Sequence, residues 1–123
     1  MAREARLVLQ IARGGAVERR IREAPPAAVS DGDIALDTRP ADAAGRLEPP
    51  SAGEVVMSVP SPETLTREPD EVRRVIDHAG TGVEPLVVVI EAADELRDDE
   101  LAVVLDAADH TRRALILRVM GDG

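Results

Sequence analysis

A chain of 123 residues suits a single domain with a real core, and that core must be aliphatic, because the sequence contains no Phe, Tyr, Trp or Cys. A net charge of −9 argues against nucleic acid, whose phosphates are bound by neutralising cations, and no aromatic ring is present on which a base could stack. Lack of cysteine excludes a disulfide framework, thiol catalysis and a cysteine-ligated metal.

All 15 cations are Arg, and Lys and Asn are absent. Arg, Ala, Gly and Pro use GC-rich codons, so a bacterial genome of high GC content is the expected origin; a reduced design alphabet would give the same bias. The N-terminal "MAREARLVLQIARGG" has no signal-peptide cleavage pattern. The longest aliphatic run, Leu86 to Ile90, is too short to span a bilayer. A cytoplasmic location and no membrane partner are expected.

In chain order, "ARLVLQIA" alternates as a strand should. "RGGAV" follows, and a Gly-Gly pair between two such runs signals a hairpin into "ERRIREA". Val17, Ile21 and Ala24 also fit a short helix, so residues 16–24 stay open between strand and helix, with the hairpin favoured. "VSDGDIALDTR" offers an Asp-Gly turn into a short strand, Ile34 to Thr38. Residues 40–53, rich in Ala, Pro and Gly with Leu47 as the one large apolar side chain, read as a flexible connector.

From Glu54 onward the pattern is plainer. "EVVMSVP" is a strand. "PDEVRRVIDHAG" is a helix: Pro69 suits the first turn, Asp70 and Glu71 complement the dipole, and Val72, Val75, Ile76 and Ala79 form one apolar face. "PLVVVIEA" is a strand apolar on both sides, as in the middle of a covered sheet. "RDDELAVVLDAADH" is a second helix with Leu101, Val104, Leu105 and Ala108 on one face, and "RALILRVM" is a third strand. The expected fold is α/β: one domain over 1–123, with a parallel βαβαβ core at 54–120. Antiparallel N-terminal strands in 1–39 extend it into a mixed sheet with helices packed on it.

The acids after "VVVI" pose the main chemical question. A strand delivering Glu91, Asp94 and Glu95 to its C-terminal end, then a helix and the strand "ALILRV", resembles the second half of a P-loop NTPase core. That resemblance implies magnesium-binding carboxylates. However, a P-loop needs GxxxxGK followed by Ser or Thr, and a chain without lysine has none. The acids then read as the soluble lip of a core strand, and the resemblance as that of a degenerate NTPase-like domain.

The same segment is similar to the anti-sigma antagonist (STAS) domains, in which a strand runs into a turn bearing a phosphorylatable serine. Here "ELRDDELAVVL" has Asp98, Asp99 and Glu100 where that serine is wanted, implying a domain without the phosphoswitch. His78 and His110, each at the end of a predicted helix, are too few nitrogens for a structural zinc site without cysteine. Ser58 and Ser61 lie where a strand meets a loop, the region of active sites in open α/β sheets, but no GxSxG elbow surrounds them. The Arg pairs at 19–20, 73–74 and 112–113 read as solvated ion pairs rather than an anion clamp.

By elimination, the expectation is a non-catalytic protein-interaction or regulatory module. It has no cofactor, no metal and no catalytic residues, and it binds another protein or a second copy of itself. The alternative is a small enzyme or ligand binder, for which Glu91, Asp94, Ser58 and Ser61 must converge in one concave pocket.

Overall fold

The computed structural model describes residues 6–42, 47–48, 55–79, 86–91, 96–111 and 115–120. Its elements in chain order are β1 (Leu7–Ala12), α1 (Ala16–Glu23), α2 (Ala27–Ser30), β2 (Ile34–Arg39), β3 (Val55–Val59), α3 (Glu63–Arg67), α4 (Pro69–Ala79), β4 (Leu86–Ile90), α5 (Asp98–Thr111) and β5 (Leu115–Val119). The five strands form one sheet in the order β2-β1-β5-β4-β3, and every neighbouring pair is parallel.

The α/β class therefore holds, but the antiparallel N-terminal extension does not. The Gly-Gly pair is not a hairpin turn. Gly14 takes φ 77°, where an L side chain is strained, and so turns β1 directly into α1. Burial decides the rest: Val17 and Ile21, four apart, share one helix face and are both buried, while Arg19 is exposed. In a strand the same two residues would also share a face, but with Arg19 between them on it. Residues 7–39 thus make a βαβ unit that continues the parallel sheet. The short helices α2 and α3 were not expected from the sequence, and most of the 40–53 connector lies outside the described residues.

Sheet order and handedness place the helices. The steps β1 to β2, β3 to β4 and β4 to β5 all run the same way along the sheet, so right-handed crossovers put their helices on one face. Packing agrees: α5 lies against both α3 and α4. The alternation of each strand supplies the facing side. Leu7, Leu9 and Ile11 of β1, Leu86, Val88 and Ile90 of β4, and Leu115, Leu117 and Val119 of β5 meet Ile21, Leu65, Val72, Ile76, Leu101 and Val104 from the helices. Burying one such side chain contributes about 1.5–3 kcal/mol. An exposed ion pair such as Arg67–Glu63 contributes about 0–1 kcal/mol. The aliphatic layer, not the surface charge, holds the fold.

The step from β2 to β3 runs the opposite way along the sheet. Leu47, between those strands, is buried yet stands outside the helix-side core, as do Val87 and Val89 of β4. Two-sided burial of β4 was the sequence expectation, and all five of its residues are buried.

Candidate functional site

Parallel strands gather their C-terminal ends on one rim, where ligands of open α/β sheets are bound. Ser58 is exposed near the end of β3, in register with Val89, and Glu91 follows β4 two residues later, also exposed. Alternation puts both on the face away from the helices. Ser61 is half-buried, and its carbonyl accepts the Thr64 N–H at 3.2 Å, opening the turn into α3. Asp94 lies outside the described residues.

No histidine reaches this rim. The helices run antiparallel to the strands, so His78 and His110, in the last turns of α4 and α5, sit at the opposite end of the sheet. The His110 Nε2 lies 3.8 Å from Asp77 Oδ2, linking the two helix ends. Among the described residues no three His, Cys, Asp or Glu side chains are grouped as a metal would need. Of the Arg pairs, Arg73 bonds Asp106 and Arg74 bonds Glu71, while 112–113 lies outside the described residues. The Arg74 guanidinium holds the Glu71 carboxyl below its ordinary value.

The acids at the start of α5 have a local task. Glu100 is buried at 3% exposure and accepts the Arg97 backbone N–H at 2.7 Å, the carboxylate half of a capping box. Asp99 accepts the Glu100 N–H at 3.0 Å. This is why a carboxylate tolerates burial there: the helix N-terminus and the Arg97 guanidinium compensate its charge. Glu18 plays a similar part at α1, where the Gly14 N–H, donated at 2.8 Å, holds its carboxyl below the ordinary value and Arg22 adds to the effect.

An open cleft of about 440 Å³ lies between α1 and the start of α5, lined by Arg20 and Ile21 on one side and Arg97, Asp98 and Asp99 on the other. Its charges are mixed in sign, and neither Ser58, Ser61 nor Glu91 lines it. A second feature, not anticipated, is a polar row across the face away from the helices. Arg118 donates to Gln10 at 2.8 Å, Gln10 donates to Asp37 at 3.3 Å, and Arg39 donates to Asp37 at 3.0 Å. The sheet register makes the row: "LVLQ" of β1 and "LILR" of β5 pair residue for residue, which sets Gln10 beside Arg118.

The sheet has two outer edges, β2 and β3, and they differ. In a parallel ladder the N–H and C=O of one residue point to the same side, and successive residues alternate sides. The Glu91 N–H bonds the Val59 carbonyl at 3.1 Å, so Val55, Met57 and Val59 face β4 while the backbone groups of Val56 and Ser58 point outward. By the same rule Arg39, whose carbonyl accepts the Arg13 N–H, faces β1, and Ile34, Leu36 and Thr38 point outward from β2. Strand β2 carries the Asp37–Arg39 ion pair, whereas β3, "VVMSV", carries no charge at all. Val56, at 40% exposure, is the one exposed large hydrophobic residue among those described.

No helix among the described residues is long and apolar enough to cross a membrane. No protein-family model, curated protein or solved structure matches this chain significantly.

Proposed function

We propose that this chain is a non-catalytic protein-interaction module that takes a partner's extended backbone onto the outer edge of β3, which among the described residues pairs with no further strand. The observation that carries the reading is the edge itself: an uncharged strand with two outward-pointing backbone pairs and one exposed valine. Natural sheets guard such edges with charge, proline or cover, and strand addition is a common way for a small domain to use one left open. Ser58 then serves through its backbone, and Glu91 remains a soluble lip beside it. The net charge of −9 keeps nucleic acid outside the partner class.

A peptide library panned on the chain tests this. Proline at an edge position with an outward N–H leaves the sheet's own ladder intact but removes the donor a partner needs. Peptides that bind the native chain and are lost on Ser58→Pro are the expected result. A library that enriches nothing, or one whose peptides bind Ser58→Pro equally well, would contradict the reading.

A further inference from the structure

Resting on that reading, we infer that the occupant of the β3 edge is a second copy of this chain, joined antiparallel about a twofold axis through Met57. The edge is self-complementary. An antiparallel ladder alternates hydrogen-bonded with non-hydrogen-bonded pairs, and only residues with outward groups can form the former. Setting Met57 opposite Met57 of the second copy places Val56 opposite Ser58 and Ser58 opposite Val56. Both of those are hydrogen-bonded pairs, and both lie wholly within β3.

Other twofold registers do less well. An axis through Ser58 pairs Val56 with Pro60, which has no N–H to give. An axis through Val56 leaves only one hydrogen-bonded pair inside the strand, because the next requires residue 54 beyond its end.

Charge points the same way. Each copy carries −9, so association is tolerable only where the approaching strands are themselves neutral, and β3 is neutral whereas β2 is not. Twofold closure protects the same edge on both copies and unites two five-stranded sheets into one continuous sheet. One short strand pair buries little area, so the dimer is weak, in the high-micromolar range or above. Raising the salt screens the like charges and tightens it, the opposite of what a basic partner would show.

The register gives a direct test. Met57 is the non-hydrogen-bonded pair on the axis, where Cα atoms lie about 4.5 Å apart, within disulfide reach. The chain has no cysteine, so Met57→Cys introduces a single thiol. Under mild oxidation at high concentration Met57→Cys is expected to form a covalent dimer at least about tenfold faster than Val55→Cys or Thr38→Cys, faster still at high salt, with the circular dichroism of the native chain retained. Equal rates for all three variants would overturn the inference. So would a Met57→Cys chain that folds but stays monomeric; if selected peptides still bind the edge, the second copy alone is refuted and the edge reading stands. Should Met57→Cys fail to fold, sedimentation velocity of the native chain decides: self-association lost in Ser58→Pro supports the inference, and a strictly monomeric native chain overturns it.

Discussion

The two edge strands of one sheet meet water differently. Strand β2, "IALDTR", ends in an ion pair, and its Asp37 is drawn into a polar row reaching Gln10 and Arg118. Strand β3, "VVMSV", is as apolar as an interior strand and leaves Val56 uncovered. Among the described residues neither edge is paired with a further strand, so the difference lies in the side chains. An approaching strand at β2 must accommodate charge, whereas at β3 it meets only aliphatics and a serine. On the proposed reading, the missing charge rather than edge status alone makes β3 the docking strand.

The largest effect is expected where the unguarded edge is blocked. Ser58→Pro should weaken self-association by at least about tenfold, equal to about 1.4 kcal/mol, with little change in melting temperature. Thr38→Pro, the matching change on β2, should leave association unaltered. Sedimentation velocity on both variants makes the comparison, and equal effects would erase the distinction between the edges.

A smaller effect should follow from giving β3 the guard it lacks. Val56→Arg places a charge on each copy at the contact, and a several-fold weaker dimer is expected. Stability should stay within about 0.5 kcal/mol in urea titration, because the side chain is already exposed. The reverse change, Asp37→Ala with Arg39→Ala, strips the guard from β2. Species larger than a dimer should then emerge at high concentration, since each copy would carry two open edges.

The smallest effect concerns acid. Glu18 on α1 and Glu71 on α4 both have carboxyls held below the ordinary value of 4.5. A depressed folded value contributes stability at pH above 4.5, and that stability is lost as pH falls through the lowered values. Glu71 is exposed and Glu18 half-buried, each held by groups on its own helix or the adjoining turn, so the contribution is minor. Glu18→Gln should flatten the acid side of a stability-against-pH curve slightly, and an unchanged curve would remove the role given to the Gly14 contact.

Much of this architecture is legible locally. Helices α4 and α5 and strands β3, β4 and β5 follow from periodicity, because the residues that define each lie within a few positions of one another. The N-terminal error arose where local signals conflict: Gly14 and Gly15 serve a hairpin and a strand-to-helix turn equally well, and only the burial of Val17 and Ile21 against the sheet decides. Insertion of β1 beside β5 is non-local, and no pattern within either strand states it. The polar row depends on that insertion, since Gln10 and Arg118 are 108 positions apart. The candidate site was legible in part. Ser58 lies on β3 and Glu91 just after the adjacent β4, at the C-terminal rim, but which edge of the sheet they border follows only from the strand order.

Amide hydrogen exchange at single residues, measured by NMR on the native chain over a wide concentration range, tests the central claim most directly. In dilute solution the outward N–H groups of Val56 and Ser58 on β3 and of Leu36 and Thr38 on β2 should all exchange quickly. As concentration rises, Val56 and Ser58 should become protected, more so at high salt, while Leu36 and Thr38 stay fast. Exchange independent of concentration at Val56 and Ser58, or protection that grows at β2 instead, would contradict the account.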